Sequence, residues 1–400
     1  MASMFKRLIW LMLGAFAVGT EGLVIAGILP AMSRDLHVSL AAAGQLVTVF
    51  SLAYALGAPL LAIATASWPR ELVLRVAMGG FAAANLLAAL APDYWWLMAA
   101  RVLLALTAGL YMPTAGAYAA GAVEPAQRGR ALGFVYLGMT VAMVIGVPLG
   151  TLLGGTLGWR APFAGVALIG LIVLGGLCLP RARQAMPPPA GLRERLAVAA
   201  RPEILRSLGV TFFWLGGAFA FYTYLAPYLH TVTGMGDTGV ACVLMLFGAG
   251  GAVGNLVGGA LSDRKGPRYV IPRVLGLLVL VFALLALTAA WLPPPAATVA
   301  VLVLITVWGV AGWAFAPVQQ AYLVSQVPQM APVVLSLNSS AMYLGVSCGA
   351  LMSSGVVAMG HVGAIGWIGA GCEAAALGLV WLGARWRAAR PAEQGAAARV

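Results

Sequence analysis

Apolar residues run through this chain in long unbroken blocks. Charged residues and Pro/Gly-rich breaks divide them into twelve stretches, near residues 8–31, 41–66, 71–91, 94–121, 131–155, 161–180, 207–230, 238–261, 269–291, 296–323, 333–358 and 364–384. Each is close to the roughly 20 apolar residues that cross a bilayer as a helix. The pattern predicts an all-α integral membrane protein with twelve transmembrane helices. The longest polar interruption is PRARQAMPPPAGLRERLAVAARPEILR, residues 180–206. It leaves six predicted spans on either side, and its prolines and arginines suit a solvated linker. The expected units are six-helix halves at 1–180 and 207–387, a linker at 181–206 and a tail at 388–400.

Composition excludes a soluble fold. The 400 residues are 62% hydrophobic and 8% charged, with a mean hydropathy of +0.96. A soluble domain is about half apolar and a quarter charged. The opening MASMFKRLIWLMLGAFAVG has the charged-then-apolar order of a signal peptide, with Ala15-Phe16-Ala17 as a cleavage site. The apolar run continues to Met32, however, which is long enough to span. Cys178, Cys242, Cys348 and Cys372 all fall inside predicted spans and form no CxxC pair. They read as packing residues, and neither a metal site nor a cofactor is expected.

The formal charge is +12. A basic chain first raises nucleic acid as a partner, but the placement of the charge rejects it. With the N-terminus in the cytoplasm, 20 of the 23 Lys and Arg residues fall in inside segments, only Arg34 and Arg160 fall outside, and Arg101 is left within a span. This is the positive-inside asymmetry, and it puts both termini in the cytoplasm.

The two halves resemble each other weakly. GLYMP, ending at Pro113, matches GWAFAP, ending at Pro317. LGWRAPF before the sixth stretch matches AIGWIGA before the twelfth, and GILPAM closing the first matches YLAPYL closing the seventh. Shared order and an offset of about 200 residues make duplication the better reading. Parallel repeats of this kind are a transporter architecture.

One carboxylate interrupts the first apolar run, in VGTEGLVIAG at residues 18–27. Glu21 is expected near the bilayer midplane, where an ionisable group is rare and marks function with a partner, or else a hydrogen bond that locks two helices. The other charge inside a span of the first half is Arg101, about 10 Å deep at 1.5 Å per residue. Burial disfavours a carboxylate's charge and an adjacent arginine favours it. A group balanced between the two can take up and release a proton.

Three motifs carry a family resemblance. GALSDRKGPRYVI, residues 259–271, resembles the loop signature of the major facilitator superfamily, G-x-L-a-D-r-x-G-r-[rk]-x-x-[li]; only Pro267 departs from it. In the corresponding first-half loop, ATASWPRELVL, Ala66 stands where the aspartate would be, so that latch is lost or weakened, and Arg70 is left to contact the opposite half. GMTVAMVIGVPLGTLLGG, residues 138–155, resembles in part the glycine-rich antiporter signature of exporters in this superfamily, with Val147-Pro148 replacing the usual G-P pair; an ordinary kinked helix is the competing reading. GTEGLVIAGILP with DLHVSLAAAGQLV is similar to the start of its twelve-span drug:proton antiporter branch, close to arabinose-efflux and chloramphenicol-resistance permeases.

The resemblance implies the major facilitator fold, two pseudo-symmetric six-helix halves moving by alternating access in the bacterial inner membrane. It implies a monomer whose partners are a small-molecule substrate, protons and the lipid bilayer. It implies proton coupling at Glu21 and Arg101, and gating by Asp263, Arg264, Gly266 and Arg268 with Gly146, Pro148 and Gly150. Because the family places helices 1, 4, 7 and 10 around its cavity, Glu21, Tyr111, Tyr222, Tyr224, Trp313 and Gln319 are the expected substrate contacts. Glu373 lies in the twelfth stretch, peripheral in this family, and a packing or interfacial role is expected. His37 and His361 fall in outside loops and read as solvated.

The leading function is therefore proton-coupled export of small amphipathic compounds such as drugs. Sugar or nucleoside efflux is the alternative, and a non-transporting membrane sensor on the same fold is a further one. No Walker-type phosphate loop is present. An enzyme would need His, Asp or Cys clustered within the spans, and a channel would need charged rings or a filter repeat; the sequence shows neither.

Overall fold

The computed structural model describes residues 2–124, 127–179 and 197–388. Much of the expected linker and tail, with Arg181, Arg183, Arg193, Arg195, Arg390 and Arg399, lies outside the described residues. The described chain forms twelve helices long and apolar enough to cross a membrane. They are Leu8–Asp35, Leu40–Ala64, Arg70–Ala89, Tyr94–Gly121, Arg128–Leu157 and Arg160–Cys178, then Pro202–Tyr222, Asp237–Lys265, Pro267–Trp291, Pro294–Gln326, Val333–Ala358 and Val362–Gly383. They are numbered spans 1 to 12 below.

Local chemistry sets the helix ends. Ser39 caps span 2 by accepting from the Ala42 N–H at 3.1 Å, and Asp93 caps span 4 by accepting from the Trp96 N–H at 2.9 Å. Pro202, Pro267 and Pro294 each open a helix in the first turn, where a missing N–H costs nothing. Gly266, at φ 78°, makes the turn between spans 8 and 9 in a conformation closed to most side chains. On the outward faces, Leu60 is 63% and Leu256 77% exposed. Such leucines match hydrocarbon rather than water as the surrounding medium.

Spans 1–6 pack together and spans 7–12 pack together. Span 2 meets span 11 across the divide, and span 5 meets span 8. Two stretches depart from the sequence expectation. The seventh stretch is one predicted span, 207–230, but its helix runs from Pro202 to Tyr222, breaks, and resumes as a short helix, Leu225–Thr233. Pro227, in the first turn of that second helix, brings no N–H to continue the ladder. Span 5 is not simply kinked at Pro148. It contains one π turn, Ala142–Gly146, just ahead of the proline.

Candidate functional site

Span 5 is built to be thin on two sides. Gly138, Gly146, Gly150 and Gly154 lie against Met12, Thr20, Val24 and Ile28 of span 1, so the two helices touch almost at backbone level. Across the π turn, the Met143 carbonyl presses on Gly248 of span 8, in the other half. Gly146, Pro148 and Gly150 thus do come together, on the helix that runs between Thr20–Glu21 and the opposite half.

Glu21 and Arg101 also come together. They form a buried ion pair, Nη1 to Oε1, with Glu21 1% and Arg101 0% exposed. Arg101 Nε donates to the Leu46 carbonyl at 3.2 Å, and its guanidinium lies 4.2 Å from the Phe50 ring centroid. Spans 1, 2 and 4 therefore meet at this pair. It is joined through one nitrogen and one oxygen only: Glu21 Oε2 and Arg101 Nη2 have no hydrogen-bond partner among the described residues. Arginine–carboxylate pairs are frequently bidentate. This one keeps an acceptor and a donor in reserve.

The pair connects to the other half through aromatic side chains that sequence reasoning did not single out. Phe50 is 6.5 Å from Tyr343 of span 11, and Tyr343 stacks on Tyr54 of span 2 at 3.6 Å between centroids. The signal available was Phe50 and Tyr54, four residues apart on one helix face, but aromatic stripes are as common in packing.

Of the expected substrate contacts, Tyr222 reaches the site: its hydroxyl donates to the Leu23 carbonyl, across the halves, at 3.2 Å. Tyr224 is buried at the end of the bundle carrying the loops at 36–39, 234–236 and 359–361, against Gly44 of span 2. That end, predicted to face outside, is closed. Gln45 donates to Ser354 at 2.7 Å there, and Gly155 of span 5 abuts Asp237 of span 8. Hydrogen bonds that join the halves include those of Gln45, Tyr222 and Ser340, the last donating to the Ala55 carbonyl at 3.2 Å.

The structure places the other three elsewhere. The Tyr111 hydroxyl faces the Leu11 carbonyl at 3.2 Å, locking span 4 to span 1. Gln319 is held in a buried polar cluster of the second half, donating to the Ser207 carbonyl at 2.8 Å and to Thr211 Oγ1 at 3.1 Å. Trp313 covers Gly251 of span 8, within its own half. At the expected gate, Asp263, Arg264 and Arg268 are exposed around Gly266, and Asp263 has no hydrogen bond or ion pair among the described residues. Arg70 is not across the halves but donates to the Ala117 carbonyl of span 4, in its own half.

Twelve spans in two six-helix halves, closed at one end and carrying a buried ion pair within the first half, define a membrane transporter. A profile of the Major Facilitator Superfamily matches residues 11–350, and the chain belongs to that family. It is 36% identical to the MFS-type transporter YbcL of Bacillus subtilis, over 89% of this chain and 90% of that one. It is 33% identical to the inner membrane transport protein YdhP of Escherichia coli K12, over 94% and 96%. It is 34% identical to a chloramphenicol resistance protein of Streptomyces lividans, over 86% and 87%. Among solved structures, the fold is shared with the nucleoside transporter NupG at a TM-score of 0.76 and 16% identity, covering 95% of this chain and 99% of that one. A D-xylose–proton symporter shares it at 0.76 and 17%, covering 94% and 97%.

Proposed function

We propose that this chain is a proton-coupled antiporter exporting small amphipathic compounds, working by alternating access in a bacterial inner membrane with both termini cytoplasmic. The observation that carries the reading is the one-pronged Glu21–Arg101 pair. Glu21 takes a proton when the site is open on one side and loses it when open on the other. Arg101 keeps the anion tolerable in between, and the unspent Oε2 and Nη2 are the atoms available to substrate or proton. Closure at the outer end lets the opposite end load substrate, and the latch residues around Asp263 regulate the exchange. Span 5, thin against both span 1 and span 8, supplies the sliding surface. The chloramphenicol resistance relative favours export of drug-like compounds over sugars or nucleosides.

A panel of compounds, chloramphenicol included, tested for resistance in a pump-deficient host identifies a substrate. Proton release on adding that substrate to purified protein in detergent then tests the coupling. Wild type releases protons and Glu21→Gln, which keeps the shape and removes the titration, does not. Unchanged release in the glutamine variant sinks the reading. A reporter fused after Arg201 checks the topology and is expected on the cytoplasmic side.

A further inference from the structure

The second half holds a buried acid that the mechanism above leaves unused. Glu373 of span 12 is 0% exposed, and neither carboxyl oxygen has a hydrogen-bond partner among the described residues. It lies on a seam where helices meet at backbone level. A Cβ on Gly217 of span 7 would sit 2.8 Å from the Gly369 carbonyl oxygen and 3.2 Å from Glu373 Oε1. One on Gly366 would sit 2.6 Å from the Phe282 carbonyl oxygen of span 9, and Gly349 of span 11 lies against Gly216. The adjacent thiol, Cys372 on the same helix, interacts with Glu373 and with Cys348 of span 11, a helix whose other titratable group is Tyr343. Spans 7 and 9 keep theirs near their ends: Glu203, Arg206 and Tyr222 on the one, Arg268, Tyr269 and Arg273 on the other.

Among the described residues no cation faces Glu373, so an ionised carboxylate there has nothing to offset its lost hydration. A neutral acid fits the seam, and a charged one requires water to enter it. Span 7 makes that local requirement a global one. Five residues beyond Gly217 it carries Tyr222, whose hydroxyl binds the Leu23 carbonyl across the halves, and there the helix breaks. Parting span 7 from span 12 pulls on the outer closure.

We propose that Glu373 is a second proton site of this transporter, which holds its proton while the outer end is closed and gives it up when the seam between spans 7 and 12 admits water. The site stands apart from Glu21 and does not rest on Glu21 carrying a proton. Proton loss at Glu373 favours outer opening.

Two measurements test it, and neither needs a known substrate. Dicyclohexylcarbodiimide modifies protonated carboxyl groups in apolar surroundings. Treating the wild-type protein at neutral pH and mapping peptides by mass spectrometry should find Glu373 modified and Glu21, held by Arg101, modified several-fold less. An unmodified Glu373 in the folded protein, with the same peptide modified after unfolding, overturns the proposal. Spin labels at His37→Cys and His361→Cys, in a background without the native cysteines, read the separation of the outer ends. Raising pH should widen it, and Glu373→Gln should remove most of that response. The His230–Asp237 contact, 3.5 Å at the same end, is present in both proteins and contributes equally. A glutamine variant that opens with pH as the parent does makes Glu373 a packing residue and ends the proposal. Failure of the Glu21 reading appears separately, as unchanged substrate-linked proton release in Glu21→Gln.

Discussion

Each half of the molecule buries one acid in the middle of a span, Glu21 in the first and Glu373 in the second, and the two are handled in opposite ways. Glu21 is given Arg101, and the arginine is itself held by the Leu46 carbonyl and the Phe50 face. Among the described residues Glu373 faces glycines and no cation. The first arrangement lets a charge persist inside the bundle, while the second lets the acid persist only as a neutral group. The difference teaches that burial alone does not define a proton site: what faces the carboxyl decides whether its charge is stored or excluded. The two halves thus differ in electrostatics while pairing their helices in the same way.

The comparison is broken most directly at Arg101. Arg101→Ala strands a buried carboxylate, and losing one partner of such a pair costs about 3–5 kcal/mol. The thermal unfolding temperature in detergent should fall sharply and transport should be lost. Glu373 has no partner to remove, so its seam is probed by crowding instead. Gly217→Ala adds a methyl 2.8 Å from the Gly369 carbonyl oxygen, and overpacking of this kind costs roughly 1–3 kcal/mol. The matching change on span 5, Gly150→Ala, comes within 2.6 Å of the Val24 side chain and 3.8 Å of Pro162; a helical valine is stiff at χ1, so a cost of similar size, roughly 1–3 kcal/mol, is expected in the same unfolding assay. Tyr111→Phe removes a hydroxyl from the Leu11 carbonyl, worth about 0.5–1.5 kcal/mol, and should leave transport unchanged; a loss of substrate binding would return Tyr111 to the site. Smallest in stability is Asp263→Asn, an exposed change within about 0.5 kcal/mol. It should slow transport several-fold while substrate binding is kept. Lost binding with normal exchange would overturn the latch reading.

The spans were legible because hydrocarbon imposes a length and a composition on every one of them, and no tertiary detail alters that. The Glu21–Arg101 pair was legible by elimination: two intramembrane charges in one half have no better partners than each other. Tyr111 and Gln319 were not legible as packing residues, because a hydroxyl or amide within a span looks the same whether it faces a substrate or a neighbouring carbonyl. The break after Tyr222 was hidden by hydropathy, which continues unbroken through Thr223, Tyr224 and Pro227. Tyr343 was invisible because its partner, Tyr54, lies in the other half of the chain.

The π turn at Ala142–Gly146 acts as a single extra residue wound into span 5. Deleting one residue from it would restore regular winding and leave Gly150 and Gly154 facing span 1, whereas inserting a further residue after Gly146 would rotate everything downstream by about 100°. Gly150 and Gly154 would then turn away from Val24 and Ile28, and branched side chains would face span 1 in their place. Span 5 should therefore accept a one-residue deletion within the π turn and substitutions away from the glycines that face span 1, but no single-residue insertion.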